Sequence, residues 1–178
     1  MNRLSADRVT SVIDAPAPVI YEAVSSVTRT PEWSDQVIAC RWVPPATGPA
    51  VGARFVATNR RSWLTWRNTP VVTVADPDRQ FAFQRTEHAG GTLVWSYLLE
   101  PLETLGTQDH QHPHDHVVGQ TRVTLGYEVT KSVPVGLHLF LRLFGVRDMQ
   151  ADLHQNMRAS LDRLATLTTT SWPPAGQR

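Results

Sequence analysis

VPVGLHLFLRLFGVRDMQADLHQNMRASLDRLATLTTT, residues 133–170, is the stretch whose reading sets the fold. Leu137, Leu141, Phe144, Met149, Leu153, Met157, Leu161 and Leu164 recur at three- to five-residue steps, which puts them on one face of a helix. Arg142, Arg147, Asp148, Asp152, Arg158, Asp162 and Arg163 fall largely on the remaining surface. Pro134 suits a first turn, where its missing N–H leaves no bond unmade. Gly145 bends or breaks the run, giving a short piece and then a longer one. The spacing therefore predicts helix over residues 134–168. A helix this long and this amphipathic needs a sheet to cover its apolar face.

The residues before it supply that sheet. Val9, Ser11 and Ile13 alternate with Thr10, Val12 and Asp14, a first strand ended by Asp14-Ala15-Pro16. Asp14 or Pro16 can open the short helical face of Val19, Ile20, Ala23 and Val24. Thr30-Pro31-Glu32-Trp33 reads as the start of a second short helix, capped by Thr30. Strands are expected at 37–43, 52–60, 64–75, 81–85, 92–100 and 120–131. Pro44-Pro45, Thr47-Gly48-Pro49, Asp76-Pro77-Asp78 and Ala89-Gly90-Gly91 supply the turns. Pro70 interrupts the third of these strands and implies an edge position or a bulge. Hairpin-joined strands with helices on one side make an α+β layout. To enclose a long helix the sheet must curl, and curvature leaves a hollow between the two.

Composition narrows the class. A chain of 178 residues is most simply one domain, here 1–178. The net charge of +1 argues against a nucleic-acid surface, which normally carries a basic excess. No apolar run is long enough to span a membrane, and MNRLSADRVTSV lacks the apolar core of a secretion signal. A soluble, cytoplasmic protein is the expectation. The single cysteine, Cys40, excludes an internal disulfide framework and reads as a small hydrophobe rather than a nucleophile. There is no Gly-rich phosphate loop, nucleophile elbow or HExxH, so no cofactor is expected. Residues 171–178 read as a frayed tail.

Several segments together resemble the START-like superfamily of helix-grip proteins, also called SRPBCC, and within it the polyketide cyclase/dehydrase-like group. They are Ile13-Asp14-Ala15-Pro16 with Val19 to Val24, Pro31-Glu32-Trp33-Ser34, and Val51-Gly52-Ala53-Arg54-Phe55. Val74 to Phe83, Trp95 to Leu102 and Gly119 to Thr124 continue the pattern. The resemblance covers about residues 7–168. It implies a helix-grip fold, a curved antiparallel sheet wrapped around a long C-terminal helix with two short helices after the first strand. It also implies a hydrophobic cavity for lipids, polyketides, sterols or other apolar ligands. Some members are aromatase/cyclases and others carry a ligand, and no invariant catalytic motif transfers, so the catalytic residues are unassigned.

Strand parity names the side chains that look inward. They are Trp66, Asn68, Val72 and Val74; Phe81, Phe83, Arg85 and Glu87; Leu93, Trp95, Tyr97 and Leu99; and Val123, Leu125, Tyr127 and Val129. The valines and leucines simply pack on the helix. Trp66, Asn68, Arg85, Trp95, Tyr97 and Tyr127 carry polar tips that a dry core rarely chooses. With Trp33, Phe83, Phe144 and Met149 they form the expected ligand-binding set. An inward Arg85 needs an anion or a hydrogen-bond partner, either Glu87 or an acidic group on a ligand.

Asp109-His110-Gln111-His112-Pro113-His114-Asp115-His116 could chelate a transition metal, but all its ligands sit in one flexible hairpin insertion at 105–119. No resident metal site is expected there. His138 and His154 read as rim residues of the long helix. The leading reading is a carrier or sensor of a hydrophobic small molecule. The runner-up is a polyketide cyclase or dehydratase. The third is an interaction module, because Leu139 to Phe144 is apolar nearly all round. That surplus suits a partner subunit, as in a homodimer, or a membrane surface.

Overall fold

Two antiparallel sheets and one long helix carry the chain in the computed structural model, which describes residues 5–86, 91–102, 119–131 and 149–171. In order the elements are β1 (Asp7–Ile13), α1 (Ala17–Ser25), a 3-10 helix (Val27–Glu32), β2 (Val37–Trp42), β3 (Phe55–Arg61) and β4 (Leu64–Asn68). There follow β5 (Val71–Asp76), β6 (Gln80–Thr86), β7 (Thr92–Leu102), β8 (Gln120–Lys131) and α2 (Met149–Ser171). The first sheet runs β1-β8-β7-β6-β5 and the second β2-β3-β4.

The single strand expected at 64–75 is two. Pro70 has no amide hydrogen, so no ladder can run through it. β4 stays with β3, and β5 leaves to pair with β6. Backbone bonds from Gly52 N to Val72 O (2.9 Å), Val72 N to Ala53 O (2.8 Å) and Phe55 N to Pro70 O (3.2 Å) join the sheets at that corner. The corner turns the second sheet over the first and gives the curved surface its grip.

The second short helix also differs from expectation. Thr30-Pro31-Glu32 closes the 3-10 helix rather than opening a helix, and Trp33 is its C-cap. Thr30 serves through its carbonyl, which accepts from Ser34 N at 3.0 Å, and makes no side-chain cap. A six-residue 3-10 piece tolerates Pro31 and drives the Trp33 ring inward, where it is 1% exposed.

Of the helix expected at 134–168, the part from Met149 is described, and it runs on to Ser171. Residues 134–148, with Gly145, His138, Phe144 and the Leu139–Phe144 patch, lie outside the described residues. So do Glu87, the histidine-rich segment and residues 172–178. α2 lies against β1, β8, α1 and the 3-10 helix. Met157, Leu161 and Leu164 are buried, whereas Leu153, expected at full depth, is only partly covered. Its end of α2 stands over a hollow instead of over side chains. His154 Nδ1 meets Asp7 Oδ2 at 2.9 Å, which ties this end of α2 to β1. No described helix is long and apolar enough to cross a membrane.

Candidate ligand cavity

Among the described residues, two adjoining cavities open within the hollow. The larger, about 110 Å³, lies between α2, the 3-10 helix and the sheet. Trp33, Asn59, Phe83, Arg85, Trp95, Tyr97 and Leu125 line it from the sheet side, and Leu153, Asn156, Met157 and Ser160 from α2. The smaller, about 60 Å³, reaches toward the corner at Pro70, past Val27, Cys40, Phe55, Ala57 and Asn68. Thr30, Val37, Asn59, Phe83, Arg85 and Tyr97 border both.

Register explains why these residues converge. Phe83 faces Trp95 across β6–β7, Arg85 faces Leu93, and Trp95 faces Tyr127 across β7–β8. Directly opposed residues share a face, so one inner face carries them all. On the second sheet Cys40 faces Ala57, Ala57 faces Asn68, and Val37 faces Asn59. The rings meet in edge and tilted contacts, Phe55–Phe83 at 5.3 Å and Trp95–Tyr127 at 5.1 Å between centroids. The Arg85 guanidinium carbon lies 5.6 Å from the Trp95 centroid, within cation–π range.

Polar tips accumulate here without protein partners. Both amide atoms of Asn68, the indole nitrogen of Trp95 and the hydroxyl of Tyr127 are buried with no hydrogen-bond partner. Trp33 Nε1 is in the same state. It comes near enough to Tyr97 to hold that hydroxyl's pKa down in part, without making a well-formed hydrogen bond. Burial nonetheless leaves Tyr97 above its ordinary range. Burial also pushes the Cys40 thiol to about 11 and Tyr127 to about 12. Buried groups of this kind are normally satisfied in native proteins. Asn68→Leu is therefore expected to raise the melting stability of the ligand-free protein by about 1 kcal/mol, since it removes two unsatisfied atoms. Destabilisation on thermal unfolding would mean that water already satisfies the amide.

The mouth of the larger cavity lies where residues 34–37 approach α2. Two bidentate ion pairs bracket it. Arg61 on β3 grips Asp152, with Nη2···Oδ1 at 2.7 Å, and Arg163 on α2 grips Asp35, with Nη2···Oδ2 at 2.7 Å. The α2 residues that line the cavity, from Leu153 to Ser160, fall between them. Hydrogen bonding to Arg163 holds the Asp35 carboxyl below the usual carboxylate range.

Six of the ten expected ligand-binding residues border the cavities: Trp33, Asn68, Phe83, Arg85, Trp95 and Tyr97. Three do not. Trp66 pairs with Asn59, which borders both cavities, but does not itself reach the lining. Tyr127 packs against Trp95 in a tilted ring contact and does not reach the lining. Met149 starts α2, beyond the mouth. Phe144 lies outside the described residues. Asn59 was missed, although it is 1% exposed and borders both cavities. Alternation with Phe55 and Ala57 along 52–60 would have found it. His154 is bound to Asp7, away from the lining, and no cluster of metal-ligating side chains occurs among the described residues.

No curated protein matches this chain in sequence. Solved structures do match its fold. The Polyketide_cyc-like protein Cgl2372 from Corynebacterium glutamicum is 27% identical, with a TM-score of 0.54 and 97% of each chain covered. A START superfamily protein from Mycobacterium smegmatis is 14% identical, with a TM-score of 0.62 over 92% of this chain and 99% of that one. The di-domain ARO/CYC BexL from the BE-7585A biosynthetic pathway is 16% identical, with a TM-score of 0.63 over 93% of this chain, which spans 48% of BexL. The sequence itself matches the family described as polyketide cyclase/dehydrase and lipid transport over residues 7–168. The helix-grip architecture and that match agree, and the chain belongs to this START-like family.

Proposed function

We propose that this protein binds an apolar, ring-containing small molecule bearing oxygen acceptors. The observation that carries the reading is the hollow itself, two adjoining cavities walled by Trp33, Phe55, Phe83, Trp95 and Tyr97, with the unpartnered Trp95 Nε1 and Asn68 amide buried beside them. A ligand with carbonyl or hydroxyl oxygens would satisfy these donors once the side chains turn toward it, while its ring covers Phe83 and Trp95. Volume favours a compact ligand. An apolar cavity of roughly 150 Å³ takes up one benzene, so about 110 Å³ with its smaller annex suits a single ring.

The rival reading is a cyclase or dehydratase, and one observation favours it. Arg85 borders both cavities with a permanent charge that would stabilise an enolate. The other titratable groups deep in the lining suit it less. With Cys40 near 11 and Tyr97 raised, neither exchanges a proton readily at neutral pH. Binding is therefore placed first. Native mass spectrometry of freshly purified protein tests it, with an added mass released on denaturation as the expected result. A bare protein that no aromatic or phenolic compound protects against heating would overturn the proposal.

A further inference from the structure

The outer face of the second sheet is unlike the rest of the surface. Between Gln36 and Ala75 the sequence has five arginines and no aspartate or glutamate. Register puts three of them on one face: Arg41 opposite Val56, Arg67 opposite Thr58, and Arg60 opposite Thr65. All three are exposed. Each strand of β2-β3-β4 thus contributes one arginine to the face turned away from the cavity.

The same sheet ends in an exposed tryptophan. Arg61 pairs with Leu64, leaving Ser62 and Trp63 as a two-residue turn in which Ser62 has φ +53°. Trp63 at this tip is 73% exposed, the largest exposed hydrophobic side chain among the described residues. Ile38, the bulged residue of β2 at the same end, is 39% exposed. A tight hairpin holds Trp63 forward, so its exposure is built into the backbone.

This end of the sheet adjoins the cavity mouth. Arg60 N donates to Gln36 O at 2.7 Å, and Gln36 lines the larger cavity. A cationic sheet face, a protruding tryptophan and an apolar cavity opening beside them suit one partner. Tryptophan prefers the headgroup level of a bilayer, and arginines gain from the negative potential of anionic lipid. An extended nucleic-acid surface would draw on a general basic excess, and the net charge is only +1.

We infer that the outer face of β2-β3-β4, tipped by Trp63, docks on an anionic lipid bilayer and presents the cavity mouth to it. This goes beyond ligand binding and does not depend on what the cavity holds. Flotation with phosphatidylcholine vesicles, with and without phosphatidylserine, tests it on the full chain. The protein should float only with phosphatidylserine present and be released by salt. Replacing Arg41, Arg60 and Arg67 by serine should lower partitioning on the order of a hundredfold, about fivefold per charge. Trp63→Ser should lower it about tenfold. Brominated lipid should quench the wild-type fluorescence more than that of Trp63→Phe. If the triple variant does not fold, salt release of the wild-type protein and the Trp63→Phe comparison decide. No flotation at low salt, equal flotation with neutral vesicles, or arginine-dependent binding to single-stranded RNA in place of vesicles would overturn the inference.

Discussion

Leu161→Ala is expected to lower the unfolding free energy by about 2–5 kcal/mol, the usual cost of emptying a fully packed leucine site. Leu161 is 2% exposed, and its neighbours on the α2 face, Met157 and Leu164, are as deeply buried. The wall around it belongs to sheet and helix and cannot collapse cheaply. At roughly 2–4 °C per kcal/mol for a chain of this size, the melting temperature should drop by about 4–20 °C. Leu153→Ala provides the internal comparison. Leu153 is only partly covered and already faces a cavity, so its loss should cost clearly less. Equal effects at the two positions, measured by denaturant unfolding, would contradict the described placement of α2.

Trp95→Ala should weaken binding of a ring-containing ligand by about 2 kcal/mol, close to thirtyfold, through lost contact area. Trp95 also supports Tyr127 and the Arg85 guanidinium, so its removal loosens both neighbours as well. Arg85→Ala separates two contributions. A ligand with a carboxylate or an acidic phenol should lose affinity, because a charge-assisted bond is gone. Its ester or alcohol analogue should bind both proteins alike. Titration calorimetry with such a matched pair reads the difference directly. Equal losses for the two ligands would mean that Arg85 shapes the wall rather than recognising charge.

Most of the architecture was legible in the sequence because the signals were periodic. The inner faces of β6, β7 and β8 follow from simple alternation, and Phe81, Phe83, Leu93, Tyr97, Leu99, Val123, Leu125 and Tyr127 lie where parity puts them. What escaped depended on three-dimensional neighbours. Pro70 announced a break, but not that the strand beyond it would change sheets. Thr30-Pro31 read as a helix start, and only the preceding residues 27–29 make it the close of a 3-10 helix. Parity told that Trp66 and Tyr127 face inward, but not that neither would border the two cavities. Leu153 shares its helical face with Met157 and Leu161, and periodicity carries no sign of the hollow beneath it.

If the cavity binds a ligand as proposed, the two arginine–carboxylate clasps at its mouth should separate how tightly that ligand binds from how quickly it leaves. Arg61–Asp152 and Arg163–Asp35 are part-exposed pairs, with side-chain exposures of 27–50%, so each contributes little to overall stability. They nevertheless fix the stretch of α2 that forms one lip of the cavity, while Leu161 and Leu164 anchor the helix further along. Salt screens exposed charges and leaves apolar burial almost untouched. Raising ionic strength should therefore speed ligand association and dissociation together in stopped-flow experiments, with little change in equilibrium affinity or melting temperature. Acid should act on one clasp in the same way. Asp35 has a depressed folded pKa, so its ion pair is intact above the ordinary carboxylate range and is lost only as pH falls through the lower folded value. For the proposed ligand, residence time would then be set at an ionic rim, and affinity in the aromatic interior.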